Sequence, residues 1–217
     1  MLQRLFGSSA QSGLVESAFE EFSAMLAQAA KMHDLALEAF FDNKPLEVDL
    51  EEMDDAIDEG EGAVRRAVLQ HLSLSPAKDL VASLVLISMV QDAERIGDFT
   101  RGLGNFPRLA KHQVGGPFAE ELRSINERVR PLYDRCEQAF RTDTAEDARS
   151  VVAAHIVIKA DLAAYIASVA DSDLSADMAI VYAFTARNLQ RISAHLSNIA
   201  SSVVQPFDRI RHDDEEA

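Results

Sequence analysis

The sequence predicts an all-α protein: six long helices forming two tandem three-helix bundles related by an internal repeat. Apolar residues recur every three or four positions along nearly the whole chain, which is the helical period and not the strand period. Apolar residues make up 47 % of the 217 but aromatics only 6 %, and Gly (9) and Pro (6) are sparse, a profile that suits helices over sheets. The stretch ISMVQDAERIGD at 87–98 returns in related form as RNLQRISAHLSNI at 187–199, with Arg95 and Arg191 at corresponding places. A repeated Arg-Ile core inside a helical pattern indicates duplication of one helical unit.

The elements follow in order. Residues 1–13 form an N-terminal segment whose MLQRLFG is weakly amphipathic. Helices are predicted at 14–41, 46–72 and 76–104, making a first repeat over 14–114. Asp42-Asn43-Lys44-Pro45 separates the first two, and Ser75-Pro76 supplies an N-cap followed by proline at the first helical position. Gly115-Gly116-Pro117 is the strongest break and opens the second repeat, 115–206. Its helices are predicted at 117–142, 145–170 and 174–205, with Pro131 expected to kink the first of them or mark its true start. Thr144 with Asp147 resembles a capping box, and Asp171-Ser172-Asp173 separates the last two helices. Leu189, Ile192, Leu196, Ile199 and Val203 make a bundle seam, which Val85, Met89, Ile96 and Leu103 repeat in the third helix. The acidic tail, 207–217, carries no such pattern.

A formal net charge of −15 argues against a nucleic-acid binder, which needs clustered Lys and Arg, and against docking on an anionic membrane. One cysteine, Cys136, excludes an internal disulfide and fits a reducing cytosol. MLQRLFG has no apolar stretch of the length a secretory signal requires. The longest apolar run, Leu80 to Val90, is too short to span a bilayer and is expected to be a buried core helix.

Chemistry concentrates in the first repeat. Glu94 and Asp98 lie one helical turn apart on one face, where like charges repel unless screened, paired or bridged by a cation. The second helix carries Glu51, Asp54, Asp58 and Glu61 at spacings that place all four on one face. Turned toward Glu94 and Asp98, that face offers enough oxygens for a hard cation or for iron; turned toward water, it is a solvated surface. Asp92, two residues from Glu94, is expected to point elsewhere. No Cys/His pattern for zinc, no Glu-x-x-His, no phosphate loop and no nucleophile elbow occurs, and no catalytic residues are assigned.

QDAERIGD resembles the motif of the phosphate-uptake regulator (PhoU) family, approximately L-E-R-I-G-D-H-x-x-N-I, which occurs once in each of two three-helix repeats. Glu94, Arg95, Ile96, Gly97 and Asp98 match in the first repeat, and Arg191, Ile192, His195, Asn198 and Ile199 in the second. Ala139-Phe140-Arg141-Thr142-Asp143 followed by Ala148 also resembles the junction between the first two helices of a family repeat. The resemblance implies a cytoplasmic, non-enzymatic regulator of phosphate transport or phosphate-starvation signalling. Its partners would be a phosphate transporter or a sensor histidine kinase, placing it peripherally at the inner face of the membrane. It also implies Glu94 and Asp98 as metal ligands; the shared face of the second helix adds Asp54, Asp58 and Glu61 as further candidates, and the ion would be iron, manganese, magnesium, zinc or calcium. The second copy departs from the pattern: Gln190 and Ala194 stand where Glu and Asp are expected, so its metal site is expected to be absent. His195 is then expected to be a satisfied polar residue. Arg95 and Arg191 are expected to stitch each third helix to an acidic neighbour, and Gly97 to mark a close helix approach. A metal-free helical adaptor and a metal-dependent enzyme or storage protein are the alternatives, and a homodimer is compatible with the long amphipathic helices.

Overall fold

The computed structural model describes residues 13–74, 79–142 and 144–205, with side chains from Glu16 onward. The N-terminal segment, the Ser75-Pro76 cap, Asp143 and the acidic tail lie outside the described residues. The helices are α1 (Gly13–Asp42), α2 (Leu50–Leu74), α3 (Leu80–Asn105), α4 (Gly116–Val129), α5 (Pro131–Thr142), α6 (Ala145–Ala170) and α7 (Ala176–Val204), with one 3-10 turn at Phe106–Leu109. There is no strand among the described residues.

Among the described residues the six predicted helices are seven, because the fourth is split at Pro131. Arg130 keeps helical dihedrals and its N–H still reaches the Asn126 carbonyl at 2.9 Å. Proline has no N–H to continue that ladder, so α5 starts afresh at the ring. The break after α1 falls at Asn43, which adopts the left-handed conformation that Asn tolerates. Gly116, at φ 75°, supplies the left-handed turn before α4. The capping box at Thr144 does not form. Thr144 sits at the N-cap, but its N–H is taken by the Ala139 carbonyl at 3.1 Å and its hydroxyl meets that of Thr142.

Helices α1–α3 make one bundle, and α4/α5, α6 and α7 make the other. The bundles lie side by side, because α3 packs along α7 and α1 touches α5. Both seams are buried: Val85, Met89, Ile96 and Leu103 in α3, and Leu189, Ile192, Leu196, Ile199 and Val203 in α7. They join one continuous apolar core. The run from Leu80 to Val90 is only partly a core segment, since Leu80, Val81 and Leu84 are exposed while Val85, Leu86, Met89 and Val90 are buried. Among the described residues, α6 is long and apolar enough to cross a membrane by length and composition alone, and only 28 % of its apolar stretch is buried.

A buried polar relay joins the two bundles at their middle. His33 of α1 is fully enclosed and donates from Nε2 to Asn126 Oδ1 of α4 at 2.7 Å. Its Nδ1 accepts from the Tyr133 hydroxyl of α5 at 3.4 Å. Burial pushes the imidazole down from 6.5 to about 4, against a smaller opposing pull from the Asn126 bond. The folded chain therefore binds fewer protons here than the unfolded chain between pH 4 and 6.5, so this residue's contribution to stability falls as pH drops through that window. His33→Gln should remove that part of the acid-limb slope, visible in urea unfolding measured at intervals from pH 4 to pH 7. An unchanged slope would show that His33 does not titrate on unfolding.

Candidate functional site

The predicted acidic residues converge on the face shared by α2 and α3. Gly97 makes the approach close: a Cβ there would lie 2.6 Å from Asp54 Oδ1 and 2.9 Å from Ile57 Cδ1. Asp54 is thereby buried, 2 % exposed, against α3. Its Oδ2 takes Arg101 Nη1 at 3.0 Å, while its Oδ1 is enclosed and has no hydrogen-bond partner. Arg101 also reaches Asp98 Oδ1 at 3.1 Å and Glu51 Oε1 at 3.0 Å. Arg95 bonds Asp98 Oδ2 at 3.0 Å and Glu94 Oε2 at 3.4 Å. Glu61 pairs with Arg65 at 2.7 Å, and Asp58 is exposed.

The carboxylates feel one another across the two helices. Burial raises the Asp54 carboxyl to about 6; Arg101 opposes this, and the charges of Asp98, Asp58 and Glu51 add to the rise. Glu94 is also raised, first by burial and then by Asp98, with Arg95 opposing and Glu61 and Asp58 adding. Six acidic residues named from the sequence thus share one electrostatic neighbourhood. Among the described residues, however, no group of three or more His, Cys, Asp or Glu side chains comes together closely enough to hold a metal ion. Arg95 and Arg101 occupy the carboxylate oxygens instead.

The arginine roles differ from expectation. Arg95 pairs within its own helix, and the residue that stitches α3 to α2 is Arg101. Its signal in the sequence is its place three residues beyond Asp98, on the same helical face. Among the described residues, Arg191 has no acidic partner across the helices. Its guanidinium lies 5.3 Å over the Phe99 ring, and its Nη2 is 3.4 Å from His195 Nε2.

His195 is a satisfied polar residue, and Asp92 is its partner. His195 Nδ1 donates to Asp92 Oδ1 at 2.8 Å, and Asn198 Nδ2 donates to the same oxygen at 3.2 Å. A carboxylate only accepts, so the imidazole proton sits on Nδ1 and Nε2 accepts from Arg191. The corresponding contact in the other direction comes from Asn188, which donates to the Phe99 carbonyl at 2.8 Å. A Cβ at Gly102 would lie 2.5 Å from Asn188 Nδ2. Asp92 and Asn188 each stand three residues before their repeat's arginine, and His195 and Phe99 each stand four after. The duplication read from the sequence is therefore a pseudo-twofold crossing of α3 and α7.

In the second repeat the acidic face is gone. Gln190 Nε2 bonds the Lys159 carbonyl at 3.3 Å and Oε1 takes Arg187. Ser193, at the place of Gly97, meets His155 Nδ1 at 3.0 Å where the first repeat has Asp54.

Fold and site define a duplicated, two-bundle helical protein with an acidic interhelical face in one copy only. Residues 22–103 match the family model of the PhoU domain. The fold is similar to that of PhoU structures over most of the chain. That of Pseudomonas aeruginosa PhoU superimposes with TM-score 0.81 at 23 % identity, over 89 % of this chain and 96 % of that one. That of the phosphate transport system regulatory protein PhoU from Streptococcus pneumoniae gives TM-score 0.75 at 20 % identity, over 87 % and 92 %. A search of curated protein sequences gives no match.

Two outcomes test this geometry. Asp92→Ala leaves the buried His195 and the half-buried Asn198 donors without their acceptor and should cost about 2–4 kcal/mol in urea unfolding, with Asp92→Asn losing less. For Asp54, the folded pKa lies above the usual carboxylate value of 3.8, so the folded chain holds an extra proton between pH 4 and 6. This residue's stability contribution therefore falls as pH rises through that window and is lowest above it. Asp54→Asn should remove the decline and leave the protein at least as stable as wild type at pH 7. A large loss at pH 7 would mean that the Arg101 pair outweighs the burial penalty.

Proposed function

We propose that this protein is a non-enzymatic regulator of phosphate transport, working through protein contacts in the cytoplasm with a membrane phosphate transporter or its sensor kinase. The observation that carries the reading is the PhoU domain match over 22–103, which contains the whole acidic face, joined to a likeness to PhoU structures over 87–89 % of the chain. Deleting the gene should derepress or unbalance phosphate uptake. Uptake that is indifferent to the deletion at both high and low phosphate would sink the reading.

We further propose a single cation site in the first repeat. The donor set suits a hard cation or iron, since Glu94, Asp98, Asp54 and Asp58 supply only oxygens. The enclosed, unpartnered Asp54 Oδ1 is the group a cation would satisfy. Glu94 and Asp98 would hold it, with Arg95 and Arg101 swinging off their carboxylates. The second repeat, with Gln190 and Ala194, has no equivalent donors. Metal analysis by mass spectrometry should find about one equivalent in untagged protein after loading and none in the Glu94→Ala/Asp98→Ala variant. Metal absent from both would favour a metal-free adaptor, in which Arg101 pairs with Glu51, Asp54 and Asp98.

A further inference from the structure

We infer that the outer face of α6 is the contact between two copies of this chain, packed antiparallel about a two-fold axis at Ala160. Helix α6 buries Val151, His155, Ile158, Leu162, Tyr165 and Val169 within its own bundle. Its opposite face exposes Ala153, Ile156, Val157, Ala160, Ala163, Ala164 and Ala167. Ile156 is 62 % and Val157 54 % exposed, a large uncovered area for β-branched apolar side chains. Between Ala153 and Ala167 the charged residues are Lys159 and Asp161, which sit at the two flanks, about 100° either side of Ala160. Asp161 is already paired with Arg128 of α4 at 2.6 Å.

The face is self-complementary in one orientation. With the axis at Ala160, a residue before that point meets the residue the same distance after it on the other copy. Ile156 and Val157, four and three residues before the axis, then rest on the partner's Ala164 and Ala163, large side chains on small ones. Ala153 meets the partner's Ala167, and the two Ala160 methyls meet at the centre, so the helices can close to contact. The same operation brings Arg149 opposite the partner's Asp171, both exposed and both within about 20° of the face's midline. A parallel pairing would set Ile156 on Ile156 and Arg149 on Arg149. Charge also selects this face. The chain carries −15, and α2 carries seven acidic residues against Arg65 and Arg66. Helix α2 packs on α1 and α3, in the other bundle from α6, so copies meeting through α6 keep their acidic faces apart. A contact along one helix pair buries on the order of 1,000 Å², the small end of specific interfaces, so the dimer should form in the micromolar range.

Light scattering and sedimentation of the full chain from about 1 to 200 µM should show the mass doubling across that range. Ile156→Glu/Val157→Glu, on a solvent-facing surface, should stay monomeric with unchanged helical circular dichroism. Arg149→Glu should weaken the dimer, and Arg149→Glu/Asp171→Arg should restore it, which only the antiparallel register explains. Ala160→Cys should cross-link two copies on mild oxidation, whereas Gln70→Cys on α2 should not, and the buried Cys136 should stay silent. A chain monomeric at 200 µM, or a dimer that survives the double Glu substitution and does not cross-link through position 160, would overturn the inference. So would a monomer that binds phosphatidylglycerol vesicles and loses that binding with the same substitutions, since the face would then belong to a membrane.

Discussion

Everything else in this molecule hangs on the crossing of α3 and α7. Each helix is the apolar spine of its own bundle, and each presents its second apolar side to the other. A crossing that close leaves no room for water, so polar atoms within it must find protein partners. Asp92 is satisfied by His195 and Asn198, and Asn188 by the Phe99 carbonyl. Gly102 makes the second contact possible by having no Cβ. The two halves of the crossing use different chemistry at matching positions, so the pseudo-symmetry of the backbone survives while the side chains diverge.

That divergence divides the molecule functionally. In the first repeat the space between second and third helices is acidic, and Gly97 lets Asp54 press into it until one carboxylate oxygen is stranded. In the second repeat Ser193 and His155 close the same space with a neutral hydrogen bond, and the helix that would carry an acidic face carries an apolar one. One duplicated unit thus presents an acidic face on its second helix and the other an apolar face flanked by Lys159 and Asp161.

Two buried ionisable groups, His33 and Asp54, act on stability in opposite directions as pH falls. His33 is held neutral by burial at the junction of α1, α4 and α5, and Asp54 is held toward its protonated form at the junction of α2 and α3. Acid therefore costs stability through the first and recovers it through the second, across overlapping windows. A weak overall pH dependence would conceal both.

The helices, the duplication and the bundle seams were legible in the sequence because period and repetition are properties of the chain itself, as Leu189 to Val203 illustrate. The kink at Pro131 was legible for the same reason: the missing N–H is local. The carboxylates Glu94, Asp98, Asp54, Asp58 and Glu61 could be named from spacing, and they do share one neighbourhood. What spacing could not decide is which charges meet. Arg101 rather than Arg95 crosses to α2, Thr144 gives up its capping box because the Ala139 carbonyl takes its N–H, and Asp92 turns inward to a histidine from the other repeat. Likewise, α6 reads as one more amphipathic core helix until its neighbours are in place, when its uncovered Ala, Ile and Val face becomes visible. Side-chain periodicity fixes which residues share a face of a helix. Only tertiary packing fixes what that face meets, because hydrogen bonds and ion pairs act over a few ångströms and between helices distant in the chain.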